Sequence, residues 1–486
     1  MIKKNFLFFC CLSVFAISFH AKAQLTVSKP NIVFLLADDL GYGDVGFNGQ
    51  KLIRTPNLDK LAAEGKNFKQ FYAGTAVCAP SRSALITGQH TGHTYIRGNM
   101  GVEPEGQEPL VNSGHNLVQL LHNAGYRTGA FGKWGLGYIG SYGDPLKQGF
   151  DQFFGYNCQT LAHRYFPDHL WDNDTKVALD DNDSFRQQIS YAPDLIQQKA
   201  LEFLDKSGDG KPFFLFLPYI LPHAELLVPD DSIFESYKNK FPEKSYKGQN
   251  YNGPKTGHGY ASQQYTHATF ASMVTRLDMY LGQIMQKLKE NGLDKNTFVI
   301  FTSDNGPHIE GGADPAFFNS SGIYRGVKRD LYEGGIREPF VVWMPEVIKP
   351  GTTSNFAGAF WDLLPTFAEL ARIPAPDSTD GISFVPALTG KGTQKQHDYL
   401  YWELHEEGGK QAVRMKNWKA VRLNVDKGLS NASFELYDLN TDPSEKNNIA
   451  AQHPELVKKL TDIMDKEHRV SALFPFQYEE MKKTIK

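Results

Sequence analysis

The feature that most constrains the fold is a continuous apolar run, Asn31–Ala37, that ends in the adjacent carboxylates of Asp38 and Asp39. A run that is apolar at every position is typical of a strand buried on both faces of a parallel sheet. A second such run, residues 297–302, ends in the polar sequence SDNG at residues 303–306. We therefore predict a fold in which polar side chains follow buried parallel strands.

Segments with helical and strand patterns alternate around these two runs. Thr266–Glu290 repeats apolar residues at helical spacing along one face. The other predicted helices are residues 55–65, 116–124 and 192–206, and the other predicted strands are residues 128–131, 212–218 and 340–344. This alternation indicates an α/β fold with a large, mostly parallel sheet flanked by helices.

The pattern changes near residue 397. Four short predicted strands precede the predicted helix Pro454–Glu467; they are residues 399–403, 411–415, 418–422 and 434–438. Short strands separated by turns predict a small C-terminal antiparallel sheet, and the helix would cover it. We predict a main domain at residues 24–392 and a C-terminal subdomain at residues 393–486.

Polar side chains follow four of the predicted strands. Besides the aspartate pair and residues 303–306, they are Lys133 and His223. In open α/β sheets, ligands bind at the carboxyl edge of the strands. Adjacent carboxylates at such an edge make a metal site with hard oxygen ligands plausible, although a solvated turn is the more usual explanation of a lone aspartate pair.

Residues 78–88, CAPSRSALITG, place a cysteine before a proline, a serine and an arginine. Pro80 suits the first turn of a helix, and Gly88 suits its end. Cys78 would then lie at a helix N-terminus, which favours an anion, with Arg82 one turn further along. On these residues alone, a cysteine in a tight turn beside an unrelated arginine is an equally good interpretation.

The N-terminus has the pattern of a secretory signal over residues 1–23, with two lysines, an apolar run and an AKA cleavage site. The apolar run is too short to span a membrane comfortably, so we predict an exported protein, periplasmic or secreted, without a membrane span after cleavage. Cleavage leaves only Cys78 and Cys158, which excludes a disulfide framework. The formal net charge of −3 gives no indication of nucleic-acid binding.

Residues 78–88 resemble the signature of the type I, formylglycine-dependent sulfatases. Matching motifs extend over nearly the whole chain after the signal: residues 37–43 (ADDLGYG), 132–134 (GKW), 303–306 (SDNG), 326–328 (GVK), 333–339 (EGGIREP) and 435–443 (ELYDLNTDP). The resemblance implies an alkaline-phosphatase-like fold, so that residues 24–392 are the catalytic domain of a sulfuric ester hydrolase.

The resemblance also implies an unusual nucleophile. In this family a maturation enzyme oxidises the cysteine to formylglycine, whose aldehyde hydrates to a gem-diol. One hydroxyl attacks sulfur, and the other collapses to the aldehyde and expels sulfate. Cys78 would be the modified residue, with Arg82 orienting it and Lys133 contacting both it and the sulfate. Lys328 and a protonated His223 would lie on the leaving-group side, and His223 would donate the proton to the departing sugar oxygen.

A divalent cation completes the implied site. Asp38, Asp39, Asp304 and Asn305 match the family's metal-binding positions, together with the modified Cys78. This oxygen-rich set suits Ca²⁺ or Mg²⁺ better than zinc. The cation would bind a sulfate oxygen and offset charge on the diol.

One position departs from the family pattern, in which a histidine often follows the lysine by two residues and serves as the base for sulfate release. Here that position is Gly135, and His308 is a candidate replacement by its proximity to Asn305 in sequence. The polar and aromatic segment 156–172 suits a sugar pocket. It resembles the corresponding segment of bacterial sulfatases that act on galactose or N-acetylgalactosamine sulfates, and Gln159 and His163 are its candidate substrate ligands.

The favoured interpretation is therefore an exported sulfatase that acts on 6-O- or 4-O-sulfated galactose or N-acetylgalactosamine in carbohydrates. One alternative is a phosphodiesterase or phosphonate hydrolase with the same fold. Another is a protein that binds sulfated glycans without hydrolysing them, which the missing histidine at Gly135 favours.

Overall fold

The computed structural model describes residues 29–111, 114–183, 187–250 and 259–484, with side chains as far as residue 480. The predicted signal at residues 1–23 lies outside the described residues. Within the described part of the chain, no helix combines the length and the apolar character needed to cross a membrane.

Strands and helices alternate along the chain as predicted. The strands are β1 (Asn31–Ala37), β2 (Lys66–Phe68), β3 (Phe71–Tyr72), β4 (Arg127–Lys133), β5 (Gln152–Tyr156), β6 (His169–Asp172), β7 (Thr175–Ala178), β8 (Phe213–Pro218), β9 (Thr297–Ser303), β10 (Arg337–Glu338), β11 (Val341–Trp343), β12 (Thr352–Ser354), β13 (Gly358–Ala359), β14 (Leu400–Leu404), β15 (Lys410–Met415), β16 (Trp418–Leu423) and β17 (Ser433–Asp438). The helices are α1 (Pro56–Glu64), α2 (Cys78–Thr87), α3 (Leu117–Asn123), α4 (Ala192–Asp205), α5 (Ser232–Glu235), α6 (Thr266–Glu290), α7 (Pro315–Phe318), α8 (Glu333–Ile336), α9 (Leu363–Leu370), α10 (Val385–Thr389), α11 (Pro454–Glu467) and α12 (Gln477–Thr484).

The main sheet has ten strands in the order β12-β2-β11-β9-β1-β8-β4-β5-β6-β7. Its centre, from β9 to β5, is parallel throughout. Antiparallel pairs join β11 to the centre on one side and β6 and β7 on the other. The predicted large, mostly parallel sheet is therefore confirmed, although its strands β2, β5–β7 and β12 were not predicted.

Alternate residues of β1 enter two different cores, because successive side chains of a strand point to opposite faces. Val33 and Leu35 pack on one face with residues of α4 and α6, including Leu277. Ile32 and Phe34 pack on the other face with residues of α3 and α9. Helices thus cover both faces of the sheet, which explains why β1 is apolar at every position.

The C-terminal sheet contains β14–β17 in sequential antiparallel order. One face packs on α11 through Leu436 and Leu460. The other face packs on the main domain, where Trp402 meets Tyr72 and Trp361. The predicted small antiparallel sheet with a covering helix is confirmed, and the boundary between residues 392 and 393 stays a prediction.

Candidate active site

The carboxyl ends of the four central strands β9, β1, β8 and β4 lie side by side. Asp38 and Asp39 follow β1, and Asp304 follows β9, whose register with β1 pairs Ala37 with Ser303. Lys133 is the last residue of β4. Parallel pairing therefore brings polar groups from distant parts of the chain to one edge, as the sequence predicted.

Helix α2 begins at Cys78 and ends at Gly88, which has the left-handed backbone (φ 68°) that favours glycine at a helix end. Ser81 fixes the helix against the β9 loop, because its Oγ donates to the carbonyl oxygen of Asp304 at 2.5 Å. Cys78 is 3% exposed and Arg82 is 2% exposed. The cysteine therefore stands at the helix N-terminus, as predicted.

Asp38 is a buried carboxylate surrounded by cations. Lys133 Nζ donates to its Oδ2 at 2.6 Å, and Arg82 Nη2 lies 3.6 Å away. The Sγ of Cys78 donates to its Oδ1 at 3.4 Å. Burial opposes the charge of Asp38, but the cations Lys133 and Arg82 outweigh it and hold its pKa well below the usual range. The cation pairs thus keep Asp38 ionised next to Cys78.

Asp304 lies behind Asp38 and binds Arg82. Arg82 Nε donates to Asp304 Oδ2 at 3.0 Å, and Arg82 Nη2 lies 2.8 Å from the same oxygen. Its Nη1 donates to the carbonyl oxygen of Lys133 at 2.8 Å, which connects α2 to the end of β4. Burial and the nearby charge of Asp38 raise the pKa of Asp304 to about 7. Negative charge is therefore crowded on this side of the site.

Asp39 contacts three groups from other segments. Lys328 Nζ donates to its Oδ2 at 2.8 Å, and Asn305 Nδ2 donates to its Oδ1 at 2.7 Å. His223 Nε2 lies 3.4 Å from Oδ2. Burial opposes the charge on Lys328, but the carboxylate of Asp39 outweighs it, so its pKa is raised well above the usual value.

The donor set fits a hard divalent cation. Asp38, Asp39, Asp304 and Asn305 are all fully buried, and Asn305 Oδ1 has no hydrogen-bond partner. Oxygen atoms of this kind are the preferred ligands of Ca²⁺ and Mg²⁺. A cation among them would remove the repulsion that raises the pKa of Asp304 and would give the unpartnered amide oxygen a ligand role.

His223 is a neutral imidazole in this structure. Its Nδ1 donates to the carbonyl oxygen of Ala224, and its Nε2 accepts a hydrogen bond from Lys328 Nζ at 3.1 Å. Burial and the charge of Lys328 hold the pKa of His223 well below its usual value. In this structure the shared proton lies on the ammonium group of Lys328, and proton donation by His223 stays a prediction.

Two further histidines stack on His223. The ring of His163 is nearly parallel to that of His223, with 4.8 Å between the ring centroids. The centroid of the His308 ring lies 5.6 Å from that of His223, and the two ring planes make an angle of 20°. His308 Nε2 donates to the carbonyl oxygen of Pro222 at 3.1 Å, and its Nδ1 accepts from the backbone N–H of Glu310. Both nitrogens of His308 thus have backbone partners, which gives no support to its predicted role as a replacement base.

The predicted sugar segment, residues 156–172, separates into structural and site-facing parts. Glu105 accepts hydrogen bonds from Trp171 and His169, each at 2.8 Å, so these two side chains stabilise the loop. Gln159 is buried beside Gly135, and His163 faces the cluster around His223. Only part of the segment is therefore available to a ligand at this edge.

Glu310 is a site residue that the sequence analysis missed. Its Oε2 lies 3.3 Å from Lys328 Nζ, and its Oε1 accepts from Arg329 Nη1 at 2.5 Å. Burial opposes its charge, but Lys328 outweighs it and lowers the pKa of Glu310. It stands in an irregular loop without periodicity, and the only sequence signal was its position close to the SDNG motif.

Comparison with known proteins identifies the family. The sulfatase family model matches residues 30–373, and a model described as N-sulphoglucosamine sulphohydrolase, C-terminal, matches residues 322–470. An N-acetylgalactosamine-6-O-sulfatase from Bacteroides thetaiotaomicron is 30% identical, over 90% of this chain and 93% of the relative. Human arylsulfatase A is 32% identical, over 93% of this chain and 91% of the relative.

Solved structures share the fold. Ps i-CgsB in complex with k-i-k-neocarrahexaose superposes with a TM-score of 0.77 at 27% identity, over 94% of this chain and 97% of that one. A Bacteroides fragilis structure described as the putative sulfatase yidJ superposes with a TM-score of 0.68 at 25% identity, over 92% and 97% of the two chains. The predicted alkaline-phosphatase-like fold is confirmed, and the match over residues 30–373 shows that this chain belongs to the sulfatase family.

Proposed function

We propose that this sulfuric ester hydrolase removes 6-O- or 4-O-sulfate from galactose or N-acetylgalactosamine units of carbohydrates after export to the periplasm or the medium. The observation that carries the proposal is the stacking of His163 on His223 at 4.8 Å, because it joins a polar loop to the groups around Cys78. The name of the Bacteroides thetaiotaomicron relative, N-acetylgalactosamine-6-O-sulfatase, supports the same substrate class.

Cys78 is the proposed site of the nucleophile. Burial and Asp38 raise the pKa of its thiol well above the usual value, so the unmodified side chain is a neutral thiol and a poor nucleophile. Formylglycine made from it by a maturation enzyme would supply a hydroxyl that attacks sulfur. Arg82, fixed by Asp304 and by the carbonyl oxygen of Lys133, orients the residue at position 78.

The positive groups hold the sulfate. Lys133 and Lys328 approach the carboxylates from opposite sides, one paired with Asp38 and the other with Asp39. Their ammonium groups can donate to sulfate oxygens as point charges. A bound Ca²⁺ or Mg²⁺, held by the four oxygen ligands described above, would supply Lewis-acid stabilisation of charge on the sulfate.

Lys328 and His223 are the proposed proton source for the leaving oxygen. The proton resides on Lys328 Nζ, which donates to His223 Nε2 at 3.1 Å. Transfer to the sugar oxygen gives a neutral alcohol as the leaving group and avoids a free alkoxide. Glu310, 3.3 Å from the same Nζ, keeps the ammonium in place.

Gln159 and His163 are the proposed sugar ligands, with His308 supporting the adjacent ring of His223. Gln159 and His163 lie on the loop that follows β5, and β5 pairs with β4, the strand that carries Lys133. An imidazole and a carboxamide offer both donors and acceptors, which suits the hydroxyl groups of a sugar.

An epimeric pair of substrates tests the proposed sugar. We expect sulfate release from N-acetylgalactosamine 6-sulfate to exceed release from N-acetylglucosamine 6-sulfate, which differs only at C4. Replacing His163 by Ala should reduce that preference, whereas His122→Ala, at an exposed position, should leave it unchanged. Faster release from the glucosamine epimer contradicts the sugar proposal, and turnover of phosphate diesters without sulfate release favours the phosphodiesterase alternative.

A further inference from the structure

The structure shows what fills the space at Gly135, the position where the family pattern implied by the resemblance often has a histidine. A Cβ atom added to Gly135 would lie 2.2 Å from Nε2 of Gln159 and 3.0 Å from its Cδ. Contacts that short do not occur between non-bonded atoms, so a side chain at 135 and the observed position of Gln159 exclude each other. The carboxamide also lies 3.5 Å from the carbonyl oxygen of Gly135.

Strand pairing explains why these residues meet. The parallel register of β4 and β5 places Lys133 beside Tyr156. Hydrogen bonds continue the pairing beyond both strands, from Trp134 N to the Tyr156 carbonyl at 2.9 Å and from Gly135 N to the Asn157 carbonyl at 3.2 Å. Gln159 therefore reaches Gly135 from a neighbouring strand end, at only 7% exposure.

A chain of hydrogen bonds leads from the end of β4 to Cys78. Lys133, two residues before Gly135, donates to Asp38, and Asp38 in turn accepts from the Sγ of Cys78. A carboxamide can donate to and accept from a hydroxyl or a sulfate oxygen, but it cannot take up a proton at neutral pH.

We propose that Gln159 takes the place of the missing histidine and positions the sulfate and the residue at position 78 for the release step, without acting as a base. This proposal rests on the sulfatase function proposed above. Gln159 is then a positioning residue of the sulfate subsite rather than a reader of the sugar alone. Glycine at position 135 leaves the space that the Gln159 side chain occupies, so the two residues together replace the histidine.

A double-mutant cycle in thermal stability tests the exchange without any substrate. Gly135→Ala carries the strain of a left-handed backbone (φ +71°) in either background, and it clashes with Gln159 only when that side chain is present. We expect Gly135→Ala to lower the Tm clearly less in Gln159→Ala than in the wild type. Equal losses in both backgrounds would overturn the packing claim.

Two assays test the role in the sulfate subsite. In the Cys78→Ser background, Gln159→Ala should weaken calorimetric binding of N-acetylgalactosamine 6-sulfate by about tenfold, and in the active enzyme it should lower kcat for an aryl sulfate, which has no sugar. Gln198→Ala, at an exposed position of α4, is the matched control. If Gln159→Ala lowers turnover of the sugar substrate but leaves aryl sulfate turnover unchanged, Gln159 contacts the sugar alone, and its proposed role in the sulfate subsite is overturned.

The outcomes separate the inference from the proposed function. If the wild type hydrolyses the aryl sulfate but not the galactosamine ester, the sugar proposal fails and the Gln159 test remains valid on the aryl substrate. If Gly135→His combined with Gln159→Ala regains activity that Gly135→His alone lacks, the two residues occupy one place. Activity of Gly135→His equal to that of the wild type would contradict the exclusion seen in the structure.

Discussion

At the scale of single residues, the site is dominated by buried charge. Asp38 and Asp39 are fully buried and each pairs with a different lysine. Burying a carboxylate is costly unless it is paired and hydrogen-bonded. The arrangement therefore concentrates carboxylate oxygen atoms at one point, where a cation can bind, beside ammonium groups that can bind a sulfate ester.

The amide of Asn305 gives the sharpest residue-scale prediction about the metal. Its Oδ1 is buried and unpartnered, so Asn305→Ala should remove a metal ligand without breaking an ion pair. We expect the affinity for Ca²⁺, measured by calorimetry, to fall by at least about tenfold, because removing even a residue that only hydrogen-bonds to a metal ligand lowers metal affinity by that factor. Asn431→Ala, at an exposed position, should not change it, and full activity of the wild type after exhaustive chelation would contradict a catalytic metal.

At the scale of secondary-structure elements, side chains fix the helices against one another. Asp278 of α6 accepts hydrogen bonds from the backbone N–H of Leu58 at 2.7 Å and of Asn57 at 3.2 Å, in the first turn of α1. Asn57 Nδ2 adds a third bond at 2.8 Å. The carboxylate satisfies N–H groups that a helix start leaves without partners inside the helix.

Asp278 predicts a specific pH dependence of stability. Burial raises its pKa from 3.8 to about 6, so the folded protein holds this proton more tightly than the unfolded chain. The corresponding contribution to stability is present below pH 3.8 and is lost as pH rises through about 6. Because Asn cannot titrate, the Tm of the wild type relative to Asp278→Asn should fall over this range. A Tm difference that is constant or rises with pH would contradict the assignment.

Elements also show which parts of the fold the sequence could predict. The central strands β1, β8 and β9 were predictable because each contains an uninterrupted apolar run, and α6 because its apolar stripe is long. The short strands β2 and β3 were not, since three and two residues carry no period. Strand β6 lies in the polar and aromatic segment 156–172, which was interpreted as a sugar pocket, and β7 follows it as a short strand of four residues.

The candidate site divides in the same way. Cys78, Arg82 and the predicted metal ligands belong to motifs at strand and helix ends, so sequence alone placed them together. Glu310 could not be found, because its contact with Lys328 depends on the path of an irregular loop. The contact between Gly135 and Gln159 depends on strand register, which no local pattern contains.

At the scale of the whole molecule, buried ion pairs join the C-terminal sheet to the main domain. Lys419 of β16 lies 3.0 Å from Glu333 of α8, and both side chains are fully buried. Arg337 and Tyr72 bind the same carboxylate at 3.0 Å and 2.7 Å. The C-terminal sheet therefore stabilises the segment that follows Lys328.

Removing one partner of this pair tests the junction. Lys419→Met should destabilise the protein by about 3 to 5 kcal/mol, because it leaves part of the charge on Glu333 buried without compensation. Lys458→Met breaks an exposed pair with Asp462 and should change stability by about 0 to 1 kcal/mol. Calorimetric unfolding measures both, and equal Tm values for the two variants would contradict a stabilising role of the junction.

The central claim is that residue 78 carries the nucleophile of a sulfatase, and peptide mass analysis of the active enzyme tests it most directly. We expect the peptide containing residue 78 to have the mass of formylglycine or its hydrate, in proportion to specific activity across preparations. Cys78→Ser should lose at least about a thousandfold in sulfate release and still bind the sulfated sugar through Arg82, Lys133 and Lys328. Full activity with an intact thiol at position 78 would contradict the account.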